Sequence, residues 1–64
     1  MKLEKLAGGC DDGDCPTVYV TDQGTLVVQG GHIDKAEGLR LGEGEQAVEI
    51  PIDLLREAFS ALGK

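Results

Sequence analysis

Sixty-four residues allow one domain, and a chain of this length buries only about 60% of the surface its unfolded form exposes. Aromatic residues make up 3%, with Tyr19 and Phe59 the two rings, so the core has to come from Val, Leu, Ile and Ala and leaves little room for an enclosed substrate pocket. Twelve acidic residues against six basic ones give a net charge of −6, and the cations Lys2, Lys5, Lys35, Arg40, Arg56 and Lys64 are scattered; this disfavours direct binding of DNA or RNA and suits a basic protein partner.

The opening "MKLEKLAGGC" loosely echoes a lipoprotein cleavage box, but Lys2, Glu4 and Lys5 interrupt any apolar stretch before Cys10. No later segment approaches the length of a membrane span. The expectation is therefore a cytoplasmic protein, one domain over residues 1–64, with residues 1–9 loosely ordered.

"GGCDDGDCPTVYV" is the most informative stretch, because Cys10 and Cys15 enclose Asp11, Asp12, Gly13 and Asp14 just before a β-branched run. Zinc sites pair a Cys motif with a second pair of Cys or His, and here only His32 is on offer, with an aspartate as fourth ligand. Zinc held by Cys10, Cys15 and His32 is the alternative; with no second motif, no cofactor is the main expectation. Four intervening residues permit a Cys10–Cys15 disulfide, although bridges are rare in the cytosol. The aspartates lack the alternation and the distal glutamate of a calcium loop, and the cysteine spacing differs from the two-residue thioredoxin motif. A Cys–His nucleophile built on His32 has no group to orient it, and Gly30-Gly31 precedes no helix that could cradle phosphate. Nothing in the chain assembles a catalytic constellation, so the expected class is non-enzymatic.

From Thr17 the pattern turns to strands. "TVYVTDQGTLVVQ" has two β-branched runs around Thr21-Asp22-Gln23-Gly24, as a type I turn with a left-handed glycine bulge requires. Thr21 opposite Thr25 pairs Val20 with Leu26, Tyr19 with Val27, and Val18 with Val28. One face then carries Val18, Val20, Leu26 and Val28 and reads as core. The other carries Thr17, Tyr19, Val27 and Gln29, an aromatic and apolar pair rimmed by polar groups and the candidate partner-binding site. The N-terminal Leu3 and Leu6, or a second copy of the chain in a homodimer, are the other candidates to cover that pair.

Residues 30–38 read as a loop. "LRLGEGEQAVEIP" then suggests a second hairpin around Gly42-Glu43-Gly44, with Leu39, Leu41, Val48 and Ile50 inward and Arg40 and Glu49 outward. Pro51 ends the last strand and suits the first turn of a helix. In "PIDLLREAFSALGK", Leu55, Ala58, Phe59 and Leu62 recur at helical spacing with Leu54 widening the stripe, Asp53 favours the N-terminal dipole, and Gly63 closes the end. Phe59 is expected on the Val18/Val20/Leu26/Val28 face. The fold class is α+β: a small antiparallel sheet of three to four strands in two hairpins, packed by one C-terminal helix.

"VEIPIDLLREAF" is similar to the edge of a swapped-hairpin DNA-binding domain of the antitoxin type, but that motif is followed by further strands and by phosphate-binding cations that are lacking here. Taken in order, Gly8-Gly9, "CPTVYV", "TLVVQG" and "AVEIPIDLLREAF" resemble the small BldB-like proteins of actinobacteria, which run from a glycine-rich start through a cysteine and three short strands to a short aromatic-bearing helix. In this chain Leu55 takes the place of the family's helix tryptophan. The resemblance implies a regulatory role: proteins of this kind are associated with helix-turn-helix regulators and are thought to modulate them.

Overall fold

In the computed structural model, which describes residues 1–10, 13 and 15–63, the elements in chain order are β1 (Leu3–Gly8), β2 (Thr17–Thr21), β3 (Leu26–Gln29), β4 (Gly31–Ile33), β5 (Ala47–Glu49) and α1 (Ile52–Leu62). The class is α+β. A three-stranded antiparallel sheet of order β1-β2-β3 is packed by the C-terminal helix, which lies against β1 and β2.

The β2–β3 hairpin forms in the register expected from its sequence: Thr17 opposite Gln29, Val18 opposite Val28, Tyr19 opposite Val27 and Val20 opposite Leu26. Its turn is closed by Thr21 N–H donating to Thr25 O at 2.9 Å, with Gly24 at φ +78°. Only glycine takes that left-handed conformation without strain. The threonine at each end adds a second layer, since the Thr21 and Thr25 hydroxyls lie 2.7 Å apart and Thr21 Oγ1 also accepts from the Gln23 and Thr25 amides.

Residues 3–8, expected to be loosely ordered, instead form β1 and supply one edge of the sheet. Pairing of β1 with β2 shifts between Lys5 and Ala7, leaving Leu6 as an extra residue. Such a bulge moves the side chains that follow it to the opposite face. Ala7 rather than Leu6 is thereby set opposite Val18, a small residue where the helix approaches.

The second hairpin differs from expectation. β5 pairs with β4, so Gly31 faces Glu49, His32 faces Val48 and Ile33 faces Ala47. Residues 30–38 thus contain a strand, and Leu39 and Leu41 do not lie in one. Between β4 and β5 run two turns: the Gly42 amide donates to Glu45 Oε1 at 2.6 Å and the Glu45 amide to Gly42 O at 3.1 Å, while Leu39 N–H donates to Ala36 O at 3.0 Å. With the turn closed in this way, β5 takes its ladder partners from β4 rather than from residues 39–41.

Ala7, Val18, Leu54 and Ala58 form the buried core, with Leu6, Val28 and Ile50 partly buried against it. Val18 and Val28 therefore pack as the alternation predicts. Leu26, Leu41 and Val48, expected inward, remain 47%, 42% and 40% exposed, and Phe59 is 76% exposed rather than seated on the sheet. The helix docks through the face of Leu54 and Ala58. Phe59 follows Ala58 by one residue, about 100° round the axis, and so points away from that contact.

Candidate functional site

Cys10 and Cys15 are joined in a disulfide, with S–S 2.03 Å and Cα–Cα 5.6 Å. The bridge sits at the start of β2, where Pro16 O accepts from Gly9 N–H at 3.0 Å and ties the two ends of the loop together. Inside the loop, Gly13 N–H donates to Cys10 O at 3.2 Å. Asp11, Asp12 and Asp14, the other acidic candidates of this stretch, lie outside the described residues.

Two of the four residues expected to form a partner-binding face hold this loop against the sheet, and a third is joined to them. Thr17 Oγ1 donates to Cys15 O at 2.9 Å, and Gln29 Nε2 donates to both Gly13 O and Cys15 O at 3.0 Å. The other end of the same amide, Gln29 Oε1, accepts from the Tyr19 hydroxyl at 3.5 Å. A chain of polar contacts therefore runs from the bridged loop through Gln29 to Tyr19.

Register and burial sort these residues further. Tyr19 lies between Lys5 on β1 and Val27 on β3, so the middle row of the outer sheet face reads Lys5, Tyr19, Val27. Tyr19 and Val27 are half-buried and Gln29 is exposed. Thr17 is 2% exposed, which corrects its expected role as a rim residue: its hydroxyl donates to Cys15 O instead of facing solvent. Lys5 was not foreseen as a member of this face, because the β1 pairing that brings it there depends on residues whose alternation is broken by the bulge.

The zinc alternative loses its ligands in this arrangement. Both sulfurs are committed to the bridge, and among the described residues no group of three or more His, Cys, Asp or Glu side chains is placed to hold a metal. His32 stands exposed in β4 opposite Val48. A bridged sulfur is also no nucleophile, because attack requires the thiolate. A depression lined by Lys2, Leu3, Glu4, Val20, Thr21 and Asp22 encloses about 170 Å³, below the roughly 300 Å³ at which small-molecule sites begin. Among the described residues no helix is long and apolar enough to cross a membrane.

Comparison with known proteins adds no relative: no family model, curated protein or solved structure matches the chain.

Proposed function

We propose that this chain is a small, non-enzymatic thiol/disulfide protein whose Cys10–Cys15 loop shapes a protein-binding face made of Tyr19, Val27, Gln29 and Lys5. The observation that carries the reading is the Gln29 side chain, which grips two carbonyls of the bridged loop and faces the Tyr19 hydroxyl. The half-buried Tyr19 ring stands beside this clasp, and an aromatic side chain at the centre of a face is what interface hot spots use. In a cytoplasmic setting the bridge is a reversible pair rather than a permanent staple. Two equivalents of a small-molecule thiol then reduce it, each sulfur of the chain gaining one electron and one proton while the two reductant molecules join in a disulfide.

The partner this reading favours is a regulatory DNA-binding protein of the helix-turn-helix kind. The support is the resemblance carried by "CPTVYV", "TLVVQG" and "AVEIPIDLLREAF", together with a −6 charge that steers approach to a basic surface while repelling DNA itself. The experiment is capture from the native extract with oxidised protein, reduced protein and the oxidised Tyr19→Ala variant. Recovery of a regulator by the oxidised chain alone is the expected result. Equal recovery by oxidised and reduced protein overturns the role of the loop, and recovery undiminished by Tyr19→Ala overturns the face.

A further inference from the structure

The exposed side of α1 carries an apolar stripe that the outer sheet face does not explain. Ile52 is 73% exposed, Leu55 52%, Phe59 76% and Leu62 44%. At about 100° per residue these four lie within a sector centred roughly 110° round the helix from Leu54, Ala58 and Ala61, the side that docks on the sheet. Arg56, Ser60, Asp53 and Glu57 take the remaining arc. The helix therefore has three faces rather than two: one packed, one polar and one apolar and exposed.

We infer that this stripe is the contact of a two-fold dimer in which α1 lies antiparallel against α1 of a second copy. Two observations point to a second copy, and the local charge permits it. The spacing is that of positions a and d of a heptad, the seam by which two helices pack. It is also its own mirror: about a centre at Glu57, Ile52 falls opposite Leu62 of the other copy and Leu55 opposite Phe59. An isologous contact places such self-complementary pairs across its axis.

Area is the second argument. The four residues expose on the order of 500 Å² per chain, the upper end of what a monomer leaves bare, and two such patches bury at most about 1,000 Å² together, the size of a weak, reversible interface. The local charge permits the contact. Only Asp53, Arg56 and Glu57 are charged within α1, two acids and one base giving −1 of the chain's −6, so most of the repulsion between copies arises elsewhere. The residue beside the stripe on its solvent side is Arg56, 3.6 Å from Asp53, which does not invite a basic partner.

This inference concerns a different face from the Tyr19 surface and stands or falls without it. Sedimentation of the full oxidised chain from micromolar to millimolar concentration should show the apparent mass rise towards twice 6.7 kDa. A monomer throughout overturns the proposal. Leu55→Lys and Phe59→Glu should each be monomeric, whereas an equimolar mixture should recover a heterodimer. In that mixed pair the lysine introduced in one copy meets the glutamate introduced in the other, while the untouched Phe59 of the first meets the untouched Leu55 of the second. Dimers that survive either single substitution, or a mixture that stays monomeric, overturn the antiparallel register. For the unsubstituted chain, isotope-filtered NMR on a mixed-label dimer should give contacts between the Leu55 methyls of one copy and the Phe59 ring of the other; their absence from a dimeric sample has the same force.

Discussion

Gly8 carries more constraint than its missing side chain suggests. Its φ is +85°, and a Cβ there would run into the Pro16 carbonyl oxygen and come within 2.9 Å of Leu54 Cδ1. Gly24 has a similar φ of +78° with open space around it. The two glycines thus separate backbone strain from collision: Gly24→Ala should cost about 1–2 kcal/mol from the left-handed conformation alone, while Gly8→Ala should cost distinctly more because β1, β2 and α1 must also move apart. Denaturant midpoints of the two variants check this, and equal losses would mean the close approach at Gly8 relaxes freely. Gln29 acts at the same scale through polar atoms. Gln29→Leu keeps the volume and removes the grip on Gly13 and Cys15, so amide exchange in the loop should quicken while the β2–β3 ladder stays protected.

Among the elements, α1 offers the sharpest contrast between neighbouring positions. Leu54→Ala opens the small core and should cost about 2–5 kcal/mol, whereas Phe59→Ala at a concentration where the chain is monomeric should shift stability by no more than about 0.5 kcal/mol. Thermal melts of the two variants at low concentration provide the measurement. The β2–β3 hairpin was legible from sequence to the residue, because a turn with one obligatory left-handed glycine sets the register and alternation confirms it. The helix was legible as an element but not in its orientation. Leu55 and Phe59 are the larger apolar groups and by burial alone belong inward, yet the short helix lies where Ala58 lets it sit close to Ala7 and Val18. β1 escaped the sequence reading because its bulge at Leu6 breaks the period, and β4 because Gly31-His32-Ile33 is too short to show one. At the candidate site, the Tyr19–Val27 pair follows from register, whereas spacing only permits the disulfide and the expected compartment argues against it. The Gln29 clasp needs the loop's path, which no pattern of residue types records.

For the whole molecule, the question is what keeps so small a core folded. The buried cluster holds two alanines, one valine and one leucine, and a chain this short has only about 3–5 kcal/mol to work with. Against that margin the Cys10–Cys15 bridge matters in spite of its short span of five positions, since restricting a loop of that size in the unfolded chain contributes about 2 kcal/mol. The bridge also fixes Cys15, whose carbonyl accepts from the buried Thr17 hydroxyl, so its loss loosens that contact. Reduction, or the Cys10→Ser, Cys15→Ser pair, should therefore lower the melting temperature by on the order of 10 °C, with far-UV circular dichroism well below the transition nearly unchanged because the β2–β3 ladder and α1 do not depend on the sulfurs. Reduction of the serine variant should do nothing further, which separates the bridge from any other effect of the reductant. Melting temperatures that coincide for oxidised and reduced protein would show that the covalent link adds nothing to the stability that Gln29, Thr17 and the core already supply.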